Sequence, residues 1–207
     1  IVFLGTSSSN IENVTIHGCE TGIALHVSGF NKIQGNRATN NGNGIILEQS
    51  LLNDVGGNHI ESNGYGIITW EADHNRIYHN NFINNTIQVY NQEPYYSINY
   101  WDDGYPSGGN YWSDYSARYP SVGDEYQGEN QDILGSDGIW DLPYVIDADN
   151  QDNYPLVEPW TPVTHDVAVY SVVPSATEVY VGWKLNITLA VKNEGDATET
   201  FTVTCKY

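Results

Sequence analysis

The sequence has 207 residues, of which 26 are Asp or Glu and only 7 are Lys or Arg, so its formal net charge at pH 7 is −19. Nucleic acids and anionic membranes are bound through positive charge, and the balance therefore argues against both as partners. The chain is long enough for one large or two modest domains, and it has no run of about 18 apolar residues that would span a bilayer.

Residues 1–91 repeat every 22 positions. Three apolar columns keep this spacing: Ile11, Ile33, Val55 and Ile77; then Ile16, Ala38, Ile60 and Phe82; then Ile1, Ile23, Ile45, Ile67 and Val89. Polar columns run between them: Asn36, Asn58 and Asn80; Asn41, Asn63 and Asn85; and Gly22, Gly44 and Gly66. Such a period indicates a solenoid, in which one coil cannot bury its own core and packs on the next. Because Ile1 already falls in a column, we expect the chain to be a piece of a longer protein.

The segments between the apolar columns decide the type of solenoid. Returns such as NRATNNGN and HIESNGYG are rich in Asn and Gly, which disfavour helices and tolerate left-handed backbone angles. We therefore predict an all-β fold, with a right-handed parallel β-helix over residues 1–101 and three short strands per coil. Neighbouring coils would pair at roughly 4.8 Å, and stacked Asn side chains would hydrogen-bond along the axis as ladders.

Alternation along the strands predicts which side chains face outward. The first outer face holds the columns Thr15, Arg37, His59 and Asn81, and His17, Thr39, Glu61 and Ile83. The second outer face holds the columns Val2, Ala24, Ile46, Ile68 and Tyr90, and Leu4, His26, Glu48 and Trp70. The second face is unusually apolar, so we expect the rest of the chain or another subunit to cover it.

Residues 102–160 differ in composition from the repeats. Eleven of the 16 Tyr and four of the six Trp lie between Tyr90 and Trp160. Residues 102–152 carry ten Asp and two Glu against one Arg, a local net charge of −11 (12 minus 1). We interpret this acidic, aromatic segment as a cap that covers the last open coil.

The charge of the cap suggests a hard divalent cation. The run DILGSDGIWD, from Asp132 to Asp141, has the Asp-Gly-Ile-x-Asp pattern of calcium-binding loops but lacks several oxygen ligands of an EF-hand. The candidate calcium ligands are Asp132, Asp137, Asp141, Asp149 and Asp152, and Asp114 and Asp147 are further candidates for completing the shell. The alternative is that these residues are turn and capping residues in a solvated loop.

Residues 161–207 predict part of a second domain. HDVAVYSVV, VYVGWKLNITLAVKNEG and TETFTVTCKY alternate apolar and polar residues between turn signals. We interpret them as three strands of an incomplete immunoglobulin-like β-sandwich, which needs about seven. The missing strands would come from further sequence or from a neighbouring chain, so a homo-oligomer or polymer is a candidate assembly.

Two kinds of covalent chemistry remain open. Cys19 and Cys205 lie in different predicted domains; we favour two separate thiols, and a disulfide between them is the alternative. Asn13, Asn84 and Asn186 begin N-x-S/T sequons, which mark candidate glycosylation sites on an exported protein.

Three blocks of the sequence resemble known families. The coils containing NGNGIILEQS and NGYGIITWEA resemble the parallel β-helix repeats of NosD-like proteins, whose namesake is a periplasmic maturation factor. The block with GGNYWSDY, GSDGIWDLPYVID and NQDNYPL is similar to the closing segment of such β-helices in archaeal surface proteins. The tail with NITLAVKNEG and ETFTVT resembles the first half of a CARDB-like adhesion domain. The resemblance implies a secreted, surface-attached protein without catalytic residues.

The first functional hypothesis is therefore an extracellular structural or adhesive module that binds other surface subunits or itself. The second is a carbohydrate-binding or polysaccharide-cleaving β-helix, with Arg37, His59, Glu61, Trp70 and Tyr90 as candidate contacts. Cleavage would need two or three carboxylates on one outer face, and the face around Glu61 offers one. Copper binding is not expected, because the chain has no Met, and His17, His26, His59, His74 and His79 fall in different columns.

Overall fold

The chain divides into two units, Ile1–Trp160 and Thr161–Tyr207. The structure is a computed structural model that describes residues 1–92, 97–162, 167–178, 180–195, 197–198, 200 and 202. Within these residues, no helix combines the length and the apolar character needed to cross a bilayer.

Short parallel strands stack into three sheets along the first unit. In chain order they are β1 (Val2–Leu4), β2 (Asn10–Glu12), β3 (Thr15–His17), β4 (Thr21–His26), β5 (Lys32–Gln34), β6 (Arg37–Thr39), β7 (Asn43–Glu48), β8 (Asp54–Gly56), β9 (His59–Glu61), β10 (Tyr65–Trp70), β11 (Arg76–Tyr78), β12 (Asn81–Ile83), β13 (Ile87–Asn91) and β14 (Tyr111–Trp112). The first sheet has the order β1-β4-β7-β10-β13, the second β2-β5-β8-β11 and the third β3-β6-β9-β12-β14. The predicted parallel β-helix with three strands per coil is confirmed.

Residues 22 apart in sequence are paired directly in space. In the first sheet Ile23 pairs with Ile45 and Ile45 pairs with Ile67, and in the third sheet Ala38 pairs with Ile60. All five side chains are buried. The apolar columns therefore form one continuous core along the solenoid axis.

Each coil bends at corners where the backbone is left-handed. Residues with positive φ recur 22 apart, as in Asn13, Gly35, Gly57 and His79, and in Gly18, Asn40, Ser62 and Asn84. Gly and Asn accept this conformation at low cost, which explains why the strands stop after a few residues. Three bulky residues near the first sheet, Val27, Phe30 and Leu52, also have φ between 50° and 58°. Their side chains are exposed, so burial does not offset the strain.

A ladder of buried Asn side chains links the coils at the corner between the second and third sheets. The Nδ2 of Asn36 donates to Oδ1 of Asn58, Asn58 to Asn80 and Asn80 to Asn110, at 2.9, 2.9 and 3.0 Å. Each Nδ2 also donates to a backbone carbonyl of the preceding coil, as from Asn58 to Ile33 at 2.8 Å. The amides therefore satisfy backbone groups that the strands leave without partners at the bend.

Two more ladders run parallel to the first. One contains Asn31, Asn53, Asn75 and Asn99, and the other Asn41, Asn63 and Asn85. The ladders predicted from the columns of Asn36 and Asn41 are confirmed. The ladder of Asn31 was not predicted, although Asn31, Asn53 and Asn75 also lie 22 apart.

The aromatic segment after residue 92 continues both the core and the ladders. Trp112 in β14 pairs with Phe82 in β12, and their rings stack with centroids 4.4 Å apart. Tyr144 stacks on the other side of Trp112 at 4.2 Å. The columns persist in space because longer loops, and not a change of register, separate these residues in sequence: Asn80 and Asn110 are 30 apart.

The rest of the cap consists of short elements. A single-turn helix, α1 (Tyr115–Arg118), follows β14. Two antiparallel pairs come next, β15 (Tyr126–Gln127) with β16 (Ile133–Leu134), and β17 (Tyr144–Val145) with β18 (Gln151–Asp152).

The second unit contains one described antiparallel pair, β19 (Val167–Pro174) and β20 (Ile187–Asn193). β19 overlaps the first predicted strand and ends one residue beyond it, and β20 falls within the second predicted strand. The second predicted strand is shorter than expected, because a turn at residues 181–182, with Gly182 at φ 90°, interrupts VYVGWKL. Most of the third predicted strand lies outside the described residues. The immunoglobulin-like and CARDB-like character of this unit stays a prediction.

The ladder predicts that Asn58→Ala destabilises the first unit. The substitution leaves the buried amide of Asn36 and the carbonyl of Ile33 without their partner, which should cost about 3 kcal/mol. Denaturant unfolding followed by circular dichroism measures the change. Asn10→Ala, at an exposed strand position, is the control and should change the unfolding free energy little. Equal effects of the two substitutions would show that the ladder is not stabilising.

Candidate functional site

The predicted side chains Arg37, His59 and Glu61 form a cluster on the outer face of the third sheet. Arg37 and His59 are paired neighbours on adjacent coils, and Glu61 follows His59 on the same face of β9. The Oε2 of Glu61 lies 2.6 Å from Nη2 of Arg37 and 2.9 Å from Nε2 of His59. The structure therefore brings these three candidate contacts together.

The surroundings of Glu61 favour its ionised form. The hydrogen bond from His59 is the largest effect and lowers the pKa of Glu61, burial opposes it, and the charges of His59 and Arg37 lower it further. A general acid in a glycosidase needs the opposite shift, a raised pKa. The cluster thus resembles an ionic binding surface more than an acid-base pair.

The tail of the cap lies beside this cluster. Asn81, the next residue in the column of His59, donates from Nδ2 to the carbonyl of Trp160 at 2.9 Å and accepts from its backbone N–H at 2.7 Å. The indole of Trp160 stacks on His79 with centroids 5.1 Å apart. Gly57 makes room for it, since a Cβ there would lie 2.8 Å from the indole. Asn81 was predicted to face outward. Its side chain is buried because it is hydrogen-bonded to the backbone of Trp160.

The second outer face is only partly as predicted. Val2 and Tyr90 are exposed, and Tyr90 packs against Tyr65 with centroids 5.4 Å apart. Ala24 is buried, which corrects the prediction, because its short side chain lies between the paired Val2 and Ile46. Trp70 is half-buried beside Glu48, whose carboxylate is 2.5 Å from Nδ1 of His26. That the rest of the chain or another subunit covers the second outer face stays a prediction.

Three of the five candidate calcium ligands, Asp137, Asp141 and Asp152, accept hydrogen bonds from N–H groups. Asp137 accepts from the backbone of Gly128 and from Gln131, and Asp141 accepts from the backbone of Glu125. Asp152 is fully buried, whereas Asp132 and Asp149 are exposed. Among the described residues, no three His, Cys, Asp or Glu side chains are placed to hold a metal ion. The contacts fit the turn-and-capping alternative, and the calcium site stays a prediction.

All three amide ladders end on a carboxylate of the cap. The first passes from Asn110 to Asp152 at 2.7 Å through the backbone N–H of Asn110. The second passes from Asn99 through Asn150 to Asp147, and the third from Asn85 through Gln88 to Asp114. The Asn-to-Asn hydrogen bonds of each ladder run toward the cap, so each ladder ends with an N–H donor that one of these Asp side chains accepts. These three Asp residues were predicted from the sequence only as candidate metal ligands, because the irregular spacing of the cap hides the ladder ends that they accept from.

The sites of covalent chemistry are accessible where they are described. Asn13, Asn84 and Asn186 are exposed, and glycosylation at these positions stays a prediction. Cys19 is exposed, and its backbone N–H donates to Oδ1 of Asn41 at the start of the third ladder. Cys205 lies outside the described residues, so neither the separate thiols nor the disulfide is tested.

Comparison with protein families agrees with the architecture. The family model for NosD, described as periplasmic copper-binding protein, matches residues 1–117. The chain belongs to the NosD family. The match covers the complete coils and extends to the first strand and helix of the cap. Searches of curated proteins and of solved structures find no significant match.

The description of the NosD family raises the question of copper. His26 and His59 contact Glu48 and Glu61 on different faces, and His79 stacks on Trp160 at a corner. Copper sites need clustered imidazole or sulfur ligands. No such cluster of three metal-binding side chains occurs among the residues the structure describes, and the sequence has no Met. The described part of this NosD-family chain therefore does not fit a copper centre.

The buried end of the first ladder predicts a pH-dependent stability. Burial raises the pKa of Asp152 to about 7, although hydrogen bonds from Asn110 and Trp112 act in the opposite direction. The folded protein then holds a proton that the unfolded chain releases near pH 4, so this carboxyl group makes the unfolding free energy fall as pH rises from about 4 to 7. Denaturant unfolding across this range measures the slope.

The same titration of Asp152→Asn isolates the effect of this carboxyl group from the titration of other groups. The variant should lose the part of the slope that Asp152 contributes. Glu61 and Asp147 have lowered pKa values, so their contributions are lost only as pH falls below about 4. Identical slopes in both proteins would mean that Asp152 is ionised in the folded state throughout.

Proposed function

We propose that this NosD-family chain is a non-catalytic structural and adhesive module that acts outside the cytoplasm. The observation that carries the proposal is the unbroken course of three amide ladders through the coils into a cap that ends each of them. This arrangement uses the polar interior for stability and not for a reaction. The periplasmic description of the family supports the location.

Assembly with other surface subunits, or with further copies of the chain, belongs to the same proposal. The partly apolar second outer face supports it, because exposed Val2 and Leu4 and half-buried Ile46 and Ile68 all belong to this face. Contiguous apolar surface on a soluble protein marks interaction sites.

Carbohydrate binding is the second candidate function, and the cluster of Arg37, His59 and Glu61 favours it. The cluster presents a guanidinium, an imidazole and a carboxylate on one exposed face, a combination that can exchange hydrogen bonds with sugar hydroxyls. Trp70 and Tyr90 lie on the first sheet, away from the cluster in the third sheet, so the five candidate contacts do not form one site.

One experiment separates structural, binding and cleaving functions. The purified chain is incubated with a panel of polysaccharides, and bound protein and released reducing ends are measured in parallel. We expect no release of reducing ends, and the same result for Glu61→Gln, because Glu61 is held ionised without a second carboxylate in the cluster. Release by the native chain that disappears in Glu61→Gln would replace this proposal with a hydrolase or lyase.

The proposal includes the prediction that calcium binds to the cap and orders it, and thermal unfolding tests this prediction. Thermal unfolding is followed in EDTA and in excess calcium, with copper as a third condition. Calcium at 100 times its dissociation constant would add about 2.7 kcal/mol to the free energy of unfolding. An unchanged midpoint would remove calcium from the proposal. Copper should leave the midpoint unchanged, because the described His residues do not converge.

A further inference from the structure

A cavity of about 330 Å³ lies where the last complete coil meets the cap. It is lined by residues 85–89 of the coil and by Asp114, Arg118, Tyr144 and Ile146 of the cap. Cavities of this size are at the lower end of the range that holds small organic ligands. The cavity is separate from the outer-face cluster around Glu61.

Asp114 is fixed in the wall of this cavity by the third ladder. Its Oδ1 accepts from Nε2 of Gln88 at 3.0 Å, and its Oδ2 accepts from the hydroxyl of Tyr144 at 2.9 Å. Gln88 is held in turn by Asn85 at 2.9 Å. Each carboxylate oxygen can accept more than one hydrogen bond, so a fixed acceptor remains for a ligand. Of the three carboxylates that end ladders, Asp114 is the one that lines this cavity.

Arg118 supplies the opposite chemistry. Its guanidinium lies over the ring of Tyr144, 4.6 Å from the centroid, and that ring is held from its other side by Trp112. The guanidinium has only donors, and the carboxylate of Asp114 has only acceptors. The exposed side chain of Arg118 and the hydrogen-bonded carboxylate of Asp114 therefore present donors and acceptors to one small cavity, with Ile87, Val89 and Ile146 as apolar surface.

We propose that this cavity binds a neutral hexopyranose unit. A sugar hydroxyl donates and accepts at once, so adjacent hydroxyls can use Asp114 and Arg118 together, while ring C–H groups pack on the apolar wall. Asp114 disfavours the carboxylate of a uronic acid and Arg118 disfavours the ammonium of an amino sugar, because each would bring like charges together in one cavity. The complementary charges within the cavity select an uncharged polyol.

Titration of the full chain by amide NMR tests the site. The probes are the methyl glycosides of glucose, galactose, mannose and N-acetylglucosamine, with glucuronate and glucosamine as charged comparisons. A ligand of this size should bind with a dissociation constant of about 1 mM, so titration extends to about 10 mM. We expect saturable shifts of amides 86–89 with at least one neutral glycoside, at lower concentration than with either charged sugar.

Variants assign the binding to the cavity. Arg118→Ala should weaken the affinity about tenfold or more, and Arg118→Lys should weaken it less. Arg76→Ala is the matched control, because Arg76 also lies over a Tyr ring, 4.8 Å from the centroid of Tyr78, but outside the cavity. The proposal is overturned if no neutral glycoside shifts amides 86–89, if a charged sugar binds more tightly, or if Arg118→Ala binds as the native chain does. Shifts confined to residues 59–61 would also overturn it, since they would place the sugar on the outer face.

Discussion

The hydrogen bond from one buried Asn side chain to the next is the interaction on which this structure depends. A chain that turns sharply several times per coil leaves backbone N–H and C=O groups without strand partners at every bend. Burying them unpaired would cost more than the apolar columns could offset. The Asn amide solves the problem because it donates and accepts at once, and it does so at the same place in each coil.

The same interaction explains why the cap is acidic. A row of amides in which each Asn donates to the Asn of the next coil needs a final acceptor, and a carboxylate is a stronger acceptor than another amide. Asp147, Asp152 and Asp114 occupy these three positions. Part of the unusual charge of the segment thus arises from the end of the solenoid, without a cation. The apolar core also has an end that must be covered, and the stacked rings of Phe82, Trp112 and Tyr144 cover it.

Much of this fold was predictable from the sequence because coils stack in strict register. Ile23, Ile45 and Ile67 are equally spaced, and equal spacing becomes direct pairing. The cap was less predictable. Asn110 and Trp112 belong to the same columns as Asn80 and Phe82, but long loops shift their spacing and hide the relation. The candidate site was predictable only as a face: strand alternation placed Arg37, His59 and Glu61 on one side, whereas the cavity of Asp114 and Arg118 joins residues from unrelated spacings.

The direction of the ladders also restricts how such a molecule can change its length. Every coil offers its neighbours the same set of donors and acceptors, so whole turns can be added or removed while each interface stays complementary. Extra residues between two ladder positions must leave the strands as a loop, as between Asn80 and Asn110, which are 30 apart and still hydrogen-bonded. The solenoid can therefore be lengthened or shortened only by whole coils. Variation in loop length is confined to the corners and to the segment beyond the final complete turn.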